Sequence, residues 1–204
     1  MVDTYSLAPN GVFFSVQGEA HLRGFPMAFV RLAGCSVGCE LCDTDYGVSS
    51  KKTAAEIAEA VHEVMPANYR DRWVWITGGE PYDRDLLPLI KELRSQSFSI
   101  AVATTGIHRA IHSVDWLSVS PHSHNLVQRY GHEVKLVDGL NGLDLWSWID
   151  ANPDDGTDFW YRYVQPLSVS GEECPDSLSR CMRFVREHPN WALSRQDHVY
   201  WGMP

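Results

Sequence analysis

The chain has 204 residues, enough for one well-buried domain, and no shift in composition marks a linker or a second unit, so 1–204 reads as a single domain. Its 17 Lys and Arg against 26 Asp and Glu leave a net charge of −9, which argues against a general nucleic-acid or anionic-membrane surface and favours a small-molecule substrate. No apolar run approaches the roughly 18 to 20 residues of a membrane span, residues 1–10 lack the basic-then-apolar build of a secretion signal, and a cytoplasmic, reducing setting is expected.

Residues 12–19 (VFFSVQGE) begin as an apolar strand and end in a Gln17-Gly18-Glu19 turn, where Gly18 lets the backbone come close to something. Residues 26–32 (PMAFVRL) predict a short strand of the parallel-sheet kind. Arg31, near its end, needs an anionic partner, internal or bound, because its charge cannot be titrated away. This strand delivers the loop around which the chain is organised: RLAGCSVGCELCDTDY, which places Cys35, Cys39 and Cys42 within eight residues. Soft thiolates select iron–sulfur clusters, zinc or copper(I), and three on one loop can hold three corners of a cubane while leaving the fourth iron open. A structural zinc site is the alternative, but it usually shows a second cysteine or histidine pair. Cys174 and Cys181 are separated by six residues on a helical segment and read as ordinary buried thiols.

Residues 53–65 carry a capping box, Thr53 with Glu56, followed by Ile57, Val61 and Val64 at helical spacing. Residues 73–77 (WVWIT) are the next strand, followed by Gly78 and Gly79, bare backbone where a ligand must approach, and then Glu80 and Pro81. A helix over 85–95 has Leu86, Leu89, Ile90 and Leu93 on one face, and a strand over 98–103 ends in Thr104, Thr105 and Gly106. Residues 107–115 leave room for at most about two helical turns before a strand at 116–119 and a Ser120-Pro121-His122 turn. Further on come a strand at 132–137, a helix at 143–151, a strand at 158–164 ending in Gln165 and Pro166, a helix at 177–187 and a short strand at 191–196. The alternation implies a parallel α/β sheet, with Cys35, Gly78, Thr104, Ser120 and Gln165 each just after a strand. Ligands should gather at that carboxyl edge. About six strands are too few for an eightfold barrel, so an open, partial parallel β/α barrel with a reduced helix complement is expected.

The spacing C-x3-C-x2-C followed by TGGEP resembles the radical S-adenosylmethionine (SAM) enzymes, in which the open iron is chelated by SAM. The set FSVQGE, CELCDT, TGGEP, SVSPH, YVQP and the ending LSRQDHVYWGMP, spread over nearly the whole chain, resembles the 7-carboxy-7-deazaguanine synthase family. That resemblance implies a radical ring contraction of 6-carboxy-5,6,7,8-tetrahydropterin to 7-carboxy-7-deazaguanine with loss of ammonia, on the route to queuosine and other deazapurines. It implies one 4Fe-4S cluster on Cys35, Cys39 and Cys42, SAM used catalytically, and magnesium at Thr44. SAM contacts are implied for Leu41, Cys42, Asp43, Gly78, Gly79, Glu80, Ser120, Pro121, His122, Gln165 and Pro166, and substrate contacts for Val16, Gln17, Gly18, Glu19, Arg31, Thr77 and Pro204, whose main-chain carboxylate would meet the pterin's amino edge. A homodimer and an external reductant such as flavodoxin or ferredoxin are also implied. The chain departs from the pattern at Leu41, where an aromatic residue often stands, at His122 for a usual Lys, and at Thr105 for a usual Asn. His198 is open between a pterin contact and a surface residue. Two rivals remain: an activating enzyme for a glycyl-radical partner protein, and a non-enzymatic iron–sulfur carrier or zinc module.

Overall fold

The computed structural model describes residues 4–42, 45–153 and 156–203. Its centre is a nine-stranded sheet made of β1 (Thr4–Val16), β2 (Pro26–Leu32), β3 (Ser50–Thr53), β4 (Trp73–Gly78), β5 (Ser99–Thr104), β6 (Trp116–Val119), β7 (Tyr130–Val137), β8 (Asp158–Gln165) and β11 (Ala192–Leu193). The strand order β11-β8-β7-β6-β5-β4-β2-β1-β3 does not close on itself. From β2 to β11 every pairing is parallel, which bears out the open α/β architecture. A two-stranded ribbon, β9 (Ser168–Val169) and β10 (Glu172–Glu173), turns through Ser170 and Gly171, both at positive φ.

Four helices cover the sheet's outer face or ends: α1 (Ala54–Val64), α2 (Leu87–Ser95), α3 (Leu145–Ala151) and α4 (Pro175–Glu187). The capping box forms as read: the Glu56 amide donates to the Thr53 hydroxyl, and the Thr53 amide to the Glu56 carboxylate. Ile57 and Val61 of α1, with Leu89, Ile90 and Leu93 of α2, pack on Val30, Val74, Ile76 and Ile100 in the main core. At roughly 1.5–3 kcal/mol for each fully buried aliphatic side chain, this layer supplies most of what holds the sheet curved against its helices.

Three differences from the sequence reading stand out. β1 starts at Thr4, not at residue 12, because a bulge between Leu7 and Val12, with Asn10 at φ 53°, lets its first half pair with β3 and its second half with β2, both antiparallel. Residues 107–115 form no helix among the described residues, their turns being tied down from outside: the Ala110 amide donates to Gln128 Oε1, and His112 Nε2 lies 3.0 Å from Asp85. The strand placed at 191–196 shrinks to Ala192–Leu193 and is followed by a short helix, α5 (Asp197–Trp201). Its start docks on the turn after β1, the Asp197 amide donating to the Gly18 carbonyl at 3.0 Å.

The inner face is layered. Phe29, Trp75, Ala101 and Trp116 lie in register across β2, β4, β5 and β6 and, with Met27 and Leu22, plug the amino-terminal end of the half-barrel. Above that plug the inward residues turn polar, and a cavity opens at the carboxyl edge.

Candidate functional site

The cavity has a volume of about 250 Å³ and is lined from nearly every parallel strand. Cys35, Cys39, Leu41 and Cys42 form one wall, and Gly78, Gly79, Thr104, Thr105, Ser120, His122 and Gln165 line the carboxyl edge, as the alternation of strands and helices predicted. Val16, Gln17, Gly18, Glu19, Arg31 and Thr77 line the same space. Pro121 and Pro166 are buried behind their turns and do not face it. Asp43, Thr44 and Pro204 lie outside the described residues.

The cysteine loop is positioned from its root. The Ser36 amide and hydroxyl both donate to Asp83, at 2.7 and 2.6 Å, and Arg84 donates to the Gly34 carbonyl at 3.2 Å. A Cβ on Gly79 would sit 1.7 Å from that Gly34 carbonyl oxygen, and one on Gly78, at φ 101°, would sit 2.2 Å from the Leu32 carbonyl. The two glycines therefore let the β4 end pass against the cysteine loop itself, which is a firmer reason for them than room for a ligand. Gly18 has a parallel reason: its Cβ would meet His198, which also lines the cavity.

Cys39 carries two nitrogen neighbours, His122 Nδ1 at 2.9 Å and the Asn141 side-chain amide at 3.1 Å. Among the described residues no three His, Cys, Asp or Glu side chains converge on one point that a single ion could fill. A cubane asks for something else, three thiolates each taking a different iron, and the donor chemistry of Cys35, Cys39 and Cys42, which line one cavity, is of that kind.

Glu80 is 1% exposed, and its acceptor positions are taken by the Tyr82 and Thr105 amides and by the Thr104 and Thr105 hydroxyls, at 2.6 to 3.1 Å. Its carboxylate thus rivets the end of β4 to the end of β5, and Thr105, a departure from the family pattern, is one of the rivets.

Two charged residues that the sequence reading passed over complete the site. Lys135 on β7 forms an ion pair with Glu19, which also accepts from Gln165 Nε2 at 3.1 Å. Burial pushes the Glu19 carboxyl up, but the Lys135 ammonium, with His198 and a hydrogen bond from Gln196, outweighs it and holds the group below its ordinary value. Glu133, two residues before Lys135 and 1% exposed, accepts from the His21 amide at 3.1 Å. Burial pushes its carboxyl up, against hydrogen bonds from Ser118 and His21 and the nearby Lys135. The signal for both was the alternation in HEVKLV, which puts Glu133, Lys135 and Val137 on one face of a strand.

No protein-family model matches the chain. Curated relatives do. A 7-carboxy-7-deazaguanine synthase of Burkholderia multivorans is 31% identical over 97% of this chain and 99% of its own length. The one of Caulobacter vibrioides is 33% identical over 98% of this chain and 100% of its own. The chain belongs to the 7-carboxy-7-deazaguanine synthase family. The Escherichia coli member is 35% identical over 94% of this chain and 96% of its own. The crystal structure of QueE from Escherichia coli superposes with a TM-score of 0.70, at 25% identity over 95% of this chain and 94% of that one. Members of this family are radical SAM enzymes, so a 4Fe-4S cluster and SAM come with the membership. Neither Cys174, half-buried at the N-cap of α4, nor Cys181, buried within that helix, lines the cavity, and burial pushes the Cys181 thiol up to about 12, so it stays protonated.

Proposed function

We propose that the cavity binds 6-carboxy-5,6,7,8-tetrahydropterin beside SAM and that the chain converts it to 7-carboxy-7-deazaguanine with loss of ammonia, feeding queuosine or a related deazapurine. The observation that carries this reading is that Cys35, Cys39 and Cys42 line the same cavity as Arg31 and Thr77. The cluster and SAM, when bound, supply abstraction of a hydrogen atom from the substrate and its return, with SAM regenerated. Cys35, Cys39 and Cys42 hold three irons. Gly78, Gly79, Ser120, His122 and Gln165 border SAM, together with Leu41, Asp43 and the turns at Pro121 and Pro166.

The chain's remaining task is to orient a reactive substrate and exclude water. Arg31 meets the C6 carboxylate with the two parallel hydrogen bonds a guanidinium can make. Its Cζ sits 4.8 Å from the Phe13 ring centroid, a cation–π contact that aims the fork into the cavity. Gln17, Gly18 and Glu19 line the same cavity, with Glu19 kept ionised by Lys135. Thr44 would ligate a magnesium ion that binds together with the substrate, and the Pro204 carboxylate would meet the ring N–H and amino group. A homodimer, a flavodoxin or ferredoxin as reductant, and a cytoplasmic location belong to the same reading; no helix among the described residues is long and apolar enough to cross a membrane. The test is anaerobic incubation of the reconstituted protein with the tetrahydropterin, SAM and reductant, followed by mass spectrometry. Appearance of 7-carboxy-7-deazaguanine with released ammonia supports the reading. Unchanged substrate alongside active SAM cleavage would move the chain to another reaction.

A further inference from the structure

β7 ends at Val137, and the chain turns sharply before α3 begins at Leu145. Three residues of that turn, Gly139, Asn141 and Gly142, stand at positive φ (85°, 51° and 74°), a conformation that asparagine adopts more readily than most side chains. The turn is pinned from several sides. The Asp138 amide donates to the Gln165 carbonyl at 2.9 Å, and the buried Asp138 carboxylate accepts from Ser177 and Arg180 of α4 at 2.7 and 2.9 Å. Within the turn, the Gly139 amide donates to the Leu143 carbonyl at 2.9 Å, and Leu140 is buried. The Asn141 side chain is therefore carried on a fixed backbone. Its amide nitrogen lies 3.1 Å from Cys39 Sγ and 3.5 Å from the His122 carbonyl oxygen. A thiolate and a carbonyl oxygen both only accept, so the NH2 end of the amide is the one that faces them. Backbone geometry alone would be met equally by glycine or aspartate at this position; what asparagine adds is a donor aimed at a cysteine sulfur.

We propose that Asn141 is a positioning residue for electron uptake: acting through Cys39, its amide donates to the thiolate and raises the reduction potential of the 4Fe-4S cluster. The inference rests on Cys39 as a cluster ligand, as given above. In the step concerned one electron passes from the external reductant to the oxidised cluster, so that the reductant is oxidised by one electron, the cluster is reduced by one, and no bond is made or broken. Part of the added negative charge falls on the ligating sulfurs. A hydrogen bond strengthens as its acceptor becomes more negative, so a donor at Cys39 stabilises the reduced state more than the oxidised one. Hydrogen bonds to the sulfurs are one of the levers by which a protein sets the potential of such a cluster. Asn141 is itself exposed, so water competes for the sulfur and the effect is moderate.

The experiment is an anaerobic redox titration of the cluster-loaded protein without SAM or substrate, followed by the electron paramagnetic resonance signal of the reduced cluster, for wild type, Asn141→Gly and Asn141→Asp. Glycine keeps the positive φ and removes the donor; aspartate keeps the shape and turns the donor into an acceptor. At a fixed potential the ratio of reduced to oxidised cluster should fall about three- to tenfold in Asn141→Gly, tenfold being about 59 mV for a one-electron couple. It should fall further in Asn141→Asp, and the iron content of both should match wild type. A potential in Asn141→Gly equal to that of wild type would overturn the proposal. Loss of the cluster from Asn141→Gly would overturn it as well, making the side chain a clamp on the cysteine loop. A Cys39→Ala protein that keeps its full iron content, or a wild type that takes up no cluster, refutes the ligand assignment instead, which separates the two failures.

Discussion

Replacing Lys135 with Met removes the ammonium and keeps the apolar stem, leaving the Glu19 carboxylate in place without its main partner. The two side chains are 12% and 18% exposed, so this is a largely buried pair, and losing one member leaves an uncompensated charge. Such a loss costs about 3–5 kcal/mol in general; with residual hydrogen bonds from Gln165 and Gln196 the lower end, about 3 kcal/mol, applies here. For a chain of this size that is a fall of about 6–12 °C in Tm. The pH dependence identifies the cause. In the wild type Glu19 titrates below its ordinary value of 4.5, so its contribution is present above that value and is lost only as pH falls through the lower folded one. In Lys135→Met burial, the largest influence, is opposed only by His198 and the remaining hydrogen bonds and the carboxyl rises, so the penalty is full at neutral pH and fades as acid protonates the group. Urea unfolding of both proteins should therefore give a stability gap that is widest near pH 7.5 and narrows toward about pH 5. The double variant Glu19→Gln/Lys135→Met should recover much of the loss at neutral pH. A gap that does not change with pH, or one below about 0.5 kcal/mol as for an exposed pair, would refute the reasoning.

Three more predictions follow from the same geometry. Cys35→Ala, Cys39→Ala or Cys42→Ala should each abolish the cluster in anaerobic iron counts, while Cys174→Ala and Cys181→Ala keep it; an intact cluster in any of the first three would contradict the assignment. Gly79→Ala should destabilise the cysteine loop, because its Cβ would fall 1.7 Å from the Gly34 carbonyl oxygen; reconstitution to wild-type iron content would show that the contact relaxes freely. Adding one or two glycines after Pro204 should cut turnover sharply at unchanged cluster content and SAM binding, and full activity in the extended protein would remove the terminus from the site.

The strands that the sequence showed most plainly were those with continuous apolar runs between punctuating residues: β2 and β6 match their expected bounds, and β4 differs by one residue. The first half of β1 was hidden because Pro9, Asn10 and Gly11 are turn-forming residues, and in the fold they lie in a bulge inside the strand. Its partner β3 is four polar residues with no apolar pattern of its own, formed because β1 offers an edge. In the site, the cysteines, Arg31 and the glycines were legible because each is a rare residue at a strand's end. Glu133 and Lys135 were not, since an alternating strand displays two faces and nothing local says which one meets a cavity. The Lys135 partner lies 116 residues away, a distance only the tertiary fold closes. Glu80 was found through its motif, but its use as a clamp on Thr104 and Thr105 needed the β4 and β5 ends side by side.

The most direct test of the central claim is a stoichiometric count in one anaerobic reaction, with the tetrahydropterin in large excess over SAM, of 7-carboxy-7-deazaguanine formed and 5′-deoxyadenosine released. The account predicts many equivalents of deazaguanine per SAM and little 5′-deoxyadenosine. One 5′-deoxyadenosine for every substrate consumed, with no deazaguanine formed, would contradict it.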